Sequence, residues 1–396
     1  MPVAYDPRDP DIIADPYPAL RALQDEDPAH WSDALGGWVL TRYGDVRRAL
    51  VDKRFSADRM RPYFAHQARA GRPGLPHLER YLTPWAVFND PPLHTRLRDV
   101  MACAFNRRLP AMRPRVERLV AELLDDLEGR GQADVIAAFA YPLPASAIMV
   151  MLGAPREEIG EVRHWSDELA AFVGSAMMSA DKPERADEGI GRMADYFERL
   201  IAERRKSPRE DMLSDLMAAD AQGRRLADDE LAAAAILMLF AGHETTTNLI
   251  GNGLYELIRH PRQMRALRDL PGLAACAVAE VLRYQGPTAA MTRILGADME
   301  MHGAAMRRGE RVFAMIHAAN RDPRQFAEPG RFDVRRRPNP AITFGAGIHF
   351  CLGAPLARLE GEIALPALLA RFADFELLDD NPAWSDSLVL RGLRRL

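Results

Sequence analysis

Residues 344–353 read Phe-Gly-Ala-Gly-Ile-His-Phe-Cys-Leu-Gly, and the rest of the chain can be interpreted outward from them. They set one cysteine, Cys351, in a glycine-rich loop that leads directly into an apolar helical pattern over 352–372. A thiolate at a helix N-terminus is stabilised by free N–H groups and by the positive end of the helix dipole. Gly345, Gly347 and Gly353 remove side chains where the backbone must turn sharply or let a bulky flat group come close. Pro355 falls in the first helical turn, where its missing N–H is no loss. A cysteine so placed can be a nucleophile, a metal or cofactor ligand, or a buried hydrophobe. A nucleophile needs a base, and His349 is two residues away; the glycines argue for room for a large cofactor.

The stretch resembles the haem-binding loop of the cytochromes P-450, the haem-thiolate monooxygenases, whose pattern is Phe-Gly-x-Gly-x-His-x-Cys-x-Gly. Phe344, Gly345, Gly347, His349, Cys351 and Gly353 fill every fixed position. The resemblance implies that Cys351 ligates the iron of haem b, with Phe344, Gly345, His349 and Gly353 around the cofactor. It also implies a mainly α, single-domain fold over residues 1–396, a helical bundle with a long central helix and small β-sheets.

Composition sets the class. The 396 residues are 48% hydrophobic and 27% charged with net charge −4, which fits an ordinary soluble globular protein and gives no support for nucleic-acid binding. Three cysteines argue against a disulfide framework and for a reducing, cytoplasmic setting. Cys103 and Cys276 lie in apolar or Ala-rich helical contexts and read as core residues. The Pro- and Asp-rich N-terminus carries neither a basic n-region nor an apolar h-region. The longest apolar run, 231–242, falls short of the ~18 residues that span a bilayer, so no membrane anchor is expected. Within the resembled family this points to the soluble bacterial type, with no fused reductase and with a monomer expected.

Along the chain, Gly36-Gly37 between Trp31 and Trp38 predicts a hairpin. The stretch 55–91, rich in Arg, Pro and Gly, reads as irregular; the resemblance makes it the cover of the substrate pocket. Helical patterns follow over 92–105, 112–127, 142–152, 156–174, 183–205 and 212–219. Asp228 predicts the cap of a long helix ending at His260, about 50 Å at 1.5 Å per residue. Strands are expected over 294–301 and 311–316, with short candidates near Leu377 and over 388–390.

Inside the long helix, Ala241-Gly242-His243-Glu244-Thr245-Thr246 interrupts an apolar run. Ala241 and Thr245 share a face, and a Thr hydroxyl bonded to the i−4 carbonyl bends a helix. A tolerated core Thr beside a paired Glu would read the same way. The stretch is also similar to the family's oxygen-binding motif, which implies that Glu244 and Thr245 are the acid–alcohol pair delivering protons during oxygen activation. Ala241 then lies against the cofactor, and His243 faces away. Glu280 and Arg283, three apart, form an ion pair on one helix face. In the family such a pair is buried and joined by the Arg of a Pro-x-Arg-Phe stretch, here Arg331; all three are scaffold. His94 and Arg98, four apart, read either as an exposed basic face or, by the resemblance, as partners of the haem propionates together with Arg293 and His349.

By position in the family, the substrate pocket takes Phe88, Leu237, Phe240, Ala289, Ala290, Met291 and Val389, with Met177 and Met178 in the covering helices. These side chains are apolar, and Ala289 and Ala290 are small. The implied reaction inserts one atom of dioxygen into an apolar organic substrate, with electrons from NAD(P)H through a separate ferredoxin and ferredoxin reductase. Arg107, Arg108, Arg113 and Arg358 are candidates for the donor's docking face, although such clusters are common as solvated surface. The rivals are a peroxide-driven peroxygenase or an electron-independent isomerase on the same scaffold, and a haem protein that only binds a gas or ligand. Glu244-Thr245 argues against the first two.

Overall fold

The computed structural model describes residues 5–174, 181–218 and 222–396. The chain is mainly helical with small sheets, as expected. It divides into two compact units: one of Met1–Phe55, Val116–Pro144 and Glu244–Leu396, the other of Ser56–Arg115 and Ala145–His243. The division falls inside the longest helix, Asp228–Arg259, hereafter the central helix.

The first unit holds the sheets. Strands β1 (Ala29–Ser32), β2 (Gly37–Leu40), β3 (Phe55–Ser56), β4 (Ala290–Leu295) and β7 (Arg311–Met315) are ordered β1-β2-β7-β4-β3. β1 and β2 form the predicted hairpin, in which Trp31 and Trp38 pair edge to face at 5.3 Å. β2 runs parallel to β7, and β4 antiparallel to it. Leu40, Val46, Leu50, Leu295, Val312 and Ile316 bury one core cluster between this sheet and the helix Tyr43–Val51. Each such side chain contributes about 1.5–3 kcal/mol by leaving water. The expected strand over 294–301 is broken: β4 ends at Leu295, and β5 (Met299–Met301) pairs instead with β6 (Ala304–Met306). The C-terminal strand candidates reduce to isolated bridges, Thr288 with Leu390 and Trp384 with Leu393.

The second unit is helical. The stretch expected to be irregular holds helices Met60–Arg69 and Pro76–Leu82 and a 3-10 turn, Ala86–Phe88. Tertiary bonds supply what local propensity lacks there. Asp187 accepts from the Leu78 amide at 2.7 Å, and Asp90 accepts from the Ala57 amide at 3.0 Å. The central helix begins with Asp228 inside it rather than capping it, and Glu230 turns back to accept from the Ala227 amide at 2.9 Å. That is half of a capping box.

Candidate active site

Two glycines decide the shape of the cysteine loop. Gly345 (φ +75°) and Gly347 (φ +67°) both occupy the left-handed region, which costs glycine little and other residues much. The Gly345 amide bonds to the Ile342 carbonyl at 2.8 Å, and the Cys351 amide to the Phe344 carbonyl at 2.9 Å, so the loop closes on itself. Between them runs a 3-10 turn, Gly347–His349. The helix Ala354–Arg371 starts three residues past Cys351, and Cys351 remains partly exposed. The Arg358 guanidinium lies 4.9 Å over the Phe344 ring and holds the loop from the helix side.

The central helix is buried along 231–240 and again along 246–257. Between these runs Ala241 is exposed, and Gly242, Glu244 and Thr245 are partly exposed. His243 is the exception in this window. It is fully buried, and its Nδ1 lies 2.7 Å from the Leu239 carbonyl. A carbonyl only accepts, so Nδ1 carries the hydrogen; burial pushes the ring down to about 4, so it is neutral at pH 7.

Gly242 has a packing reason. A Cβ there would meet Ile148 Cγ1 at 2.9 Å, closer than real contacts allow. Helix propensity alone favours alanine by about 1 kcal/mol, whereas overpacking a filled core costs roughly 1–3 kcal/mol. Gly242→Ala should therefore destabilise the protein in chemical denaturation. Adding Ile148→Ala should make the same change less costly or favourable; equal cost in both backgrounds would sink the clash argument.

Within the first unit, the Ala289 and Ala290 amides bond to the Val389 carbonyl at 2.8 and 3.4 Å, which brings three nominated pocket residues together. The methyl of Met291 lies 3.5 Å from where a Gly345 Cβ would be, so β4 borders the cysteine loop. Arg293 is buried on the same strand and donates to the Thr292 carbonyl at 2.9 Å. Within the second unit, His94 is buried and Arg98 half-buried, one turn apart in the helix Leu93–Arg108. Phe88 and Phe240 flank Trp85 at 5.6 and 5.5 Å, and Leu237 is buried one turn before Ala241. A groove of about 1310 Å³ in the first unit, lined by Leu127, Leu254, Ile258, Leu368 and Phe372, holds none of the nominated residues.

The sequence-family model described as cytochrome P-450 matches residues 38–269 and 263–387. The chain belongs to the cytochrome P-450 family. It is 39% identical to the cytochrome P-450 monooxygenase PikC of Streptomyces venezuelae, over 98% of this chain and 91% of that protein. It is likewise 39% identical to the 6-deoxyerythronolide B hydroxylase of Saccharopolyspora erythraea, over 96% of this chain and 94% of that one. The solved structure of P-450BioI with an acyl carrier protein bearing hexadec-9Z-enoic acid superimposes with a TM-score of 0.91 at 33% identity, covering 98% of each chain. As a member of this family the protein is a monooxygenase-type oxidoreductase whose cofactor is a haem-thiolate group. Among the described residues no helix is long and apolar enough to cross a membrane.

The residues fit that cofactor. A single cysteine sulfur in a loop stripped of side chains by left-handed glycines would leave room for a large flat group and could serve as its thiolate ligand. Arg293, buried in the first unit, suits a carboxylate taken out of water.

The scaffold of this P-450 departs from expectation in one charge. Glu280 and Arg283 are fully buried and bidentate, Nε to Oε2 and Nη2 to Oε1, both at 2.8 Å. The third partner is Arg336, whose Nε reaches Glu280 Oε1 at 3.1 Å, and not the Arg331 side chain. Arg331 points outward to Glu328 and Asp333 and gives only its backbone carbonyl to Arg283. The Asp333 amide and Asn339 Nδ2 fill the remaining acceptor sites on Glu280. Sequence reasoning missed Arg336 and Asn339, which sit in a coil of three consecutive arginines with no periodicity to orient them.

Two further expectations change. Cys103 is exposed, because the buried stripe of its helix runs through His94, Leu97, Met101 and Phe105 and passes it by; Cys276 is partly exposed, with Arg337 Nη2 2.9 Å from its sulfur. Arg107 and Arg108 are both tied to Asp215, at 2.8 and 2.9 Å, which removes much of their charge from a docking face. Arg113 and Arg358 are exposed. Met177 and Met178 lie outside the described residues.

Proposed function

We propose that this P-450 uses dioxygen and two electrons from NAD(P)H, delivered by a ferredoxin and its reductase, to hydroxylate or epoxidise an apolar organic substrate. The observation that carries the reading is the accessible window at Ala241–Thr245 in an otherwise buried helix, holding one carboxylate and one hydroxyl. In this proposal Cys351 is the thiolate ligand of haem b. When bound, the haem supplies oxygen activation at its iron, and a thiolate ligand favours O–O cleavage. His94, Arg98, Arg293 and His349 pair its propionates, and Phe344, Gly345, Gly353 and Ala241 shape the surface it lies on.

Thr245 holds a water with its hydroxyl, and Glu244, partly exposed one residue earlier, exchanges protons with solvent and passes them to that water. His243, buried and neutral, takes no proton. Phe88, Leu237, Phe240, Ala289, Ala290, Met291 and Val389 exclude water and hold the substrate by apolar contact, and the segment 55–91 covers them. The whole chain acts as one catalytic domain, a cytoplasmic monomer. The relatives named for a monooxygenase and a hydroxylase support oxygen insertion over the isomerase and gas-binding readings.

The test is NADH consumption with surrogate ferredoxin and reductase against a panel of apolar compounds, with product analysis. Turnover without oxygenated product across the panel would favour a ligand-binding haem protein, and product formed only with peroxide would favour the peroxygenase. Thr245→Ala should keep most NADH oxidation while product per NADH falls several-fold and peroxide rises. Unchanged coupling in that variant would remove Thr245 from the proton path.

A further inference from the structure

Beside Ala289, just before β4, lies a second, smaller cavity of about 40 Å³, within the first unit. Its walls include Tyr5, Ile13, Ala289, His317, Ser387 and Arg391. Two polar side chains on those walls are more than nine-tenths buried, His317 at 1% exposed and Arg391 at 7%. Each has one buried nitrogen with no hydrogen-bond partner in the chain: Nδ1 of His317 and Nε of Arg391.

The other atoms of both residues are fixed. His317 Nε2 lies 2.8 Å from the Gly286 carbonyl, which can only accept, so Nε2 carries the hydrogen and Nδ1 is a bare acceptor. Burial pushes the ring down to about 3, which keeps it neutral. Arg391 gives its two terminal nitrogens to the Ile13 and Ala14 carbonyls, both at 2.7 Å, which leaves Nε–H as a donor. The two lining residues therefore hold one unpaired acceptor and one unpaired donor. An anion would meet the Nδ1 lone pair and a cation the guanidinium, so neither suits; a neutral hydroxylic molecule satisfies both atoms. A cavity of this size admits a water molecule or two, since one occupies about 30 Å³ in the liquid.

We propose that His317 and Arg391 form a built site for an internal water, which fixes the backbone of the substrate-facing Ala289–Val389 pair. The link to that pair is direct. The His317 amide donates to the Ala289 carbonyl at 3.2 Å, the Arg391 amide to the Pro287 carbonyl at 2.8 Å, and the Ala289 amide to the Val389 carbonyl at 2.8 Å. Asn252 Nδ2 clamps the same turn from the central helix, bonding the Gln285 and Arg391 carbonyls at 3.0 and 2.9 Å. A buried donor or acceptor left without a partner is destabilising, so a water here holds the turn 286–290 against the C-terminal segment. His317 and Arg391 act on the substrate only through Ala289 and Val389; they are positioning residues. That consequence rests on the proposed placement of the pair in the pocket, whereas the water site does not.

A high-resolution crystal structure of the haem-loaded protein should contain a water within hydrogen-bond distance of both nitrogens. An empty cavity, or direct contact of Arg391 Nε with a chain atom, would overturn the site. His317→Leu, which removes both the acceptor and the Nε2–H bond to Gly286 at similar volume, should lose that water and shift the ratio of products several-fold at unchanged reduced carbon-monoxide spectrum. His317→Gln, which can offer an amide oxygen in its place, should restore part of the ratio. A water present in both proteins with an identical product ratio would refute the positioning role. Should the leucine variant fail to fold, the wild-type density and the glutamine variant still decide. Failure of the monooxygenase reading itself would show separately, as a wild-type protein without the thiolate-ligated spectrum.

Discussion

Cys351→Ala protein loaded with haem is expected to lose entirely the characteristic reduced carbon-monoxide spectrum of the wild type, and with it all NADH-driven product. The loop tolerates the change sterically. Cys351 holds its place through its amide, bonded to Phe344, and a smaller side chain leaves that bond intact. The left-handed backbone at Gly345 and Gly347 is likewise untouched. The fold should therefore survive while the one sulfur donor at the helix N-terminus is gone. A variant that kept the spectrum in full would remove Cys351 from the metal and leave the assignment of the loop without support.

Glu280→Ala is expected to be the most destabilising single change outside the loop. It strands Arg283, which is fully buried, and Arg336, whose side chain is only 12% exposed. Breaking a buried pair by removing one partner costs about 3–5 kcal/mol because the remaining charge is uncompensated. Two cations are left here rather than one, and the Asp333 amide and Asn339 lose an acceptor as well. Arg331→Ala should by contrast cost no more than an exposed pair, about 0–1 kcal/mol, since its side chain is 58% exposed. Arg336→Ala should fall between. Chemical denaturation midpoints of the three variants give the ranking, and an Arg331 effect equal to that of Glu280 would restore the arrangement expected from sequence.

That contrast marks where the sequence stops being legible. Helix spacing is enough to pair Glu280 with Arg283, because residues three apart share a face whatever surrounds them. No such rule orients an arginine in coil. Arg331 and Arg336 are five residues apart in a loop whose path is fixed by carbonyls offered to Arg283 and Arg336. The segment after Phe55 was opaque for a related reason. Its helices are short and arginine-rich, and side chains distant in sequence, Asp187 on Leu78 and Tyr81 on Glu198, hold them. Cys103 was readable: the spacing of Leu97, Met101 and Phe105 already leaves it on the outer face. The cysteine loop and the Ala241–Thr246 window are assigned roles only through their resemblance to family motifs; residue types alone leave a buried cysteine and a core threonine equally readable. The cavity at His317 and Arg391 was not legible, because its walls come from three distant parts of the chain.

The loop at Cys351 also leans on the amino-terminal quarter of the chain. A Cβ at Gly347 would fall 3.2 Å from Val51 Cγ1, at the end of the helix Tyr43–Val51, in a backbone conformation that already refuses side chains. The two segments are thus a matched pair, nearly three hundred positions apart in the sequence. Chimaeras with related enzymes will inherit that pairing only when both pieces come from the same parent, and crossover points placed between them separate a mould from its cast.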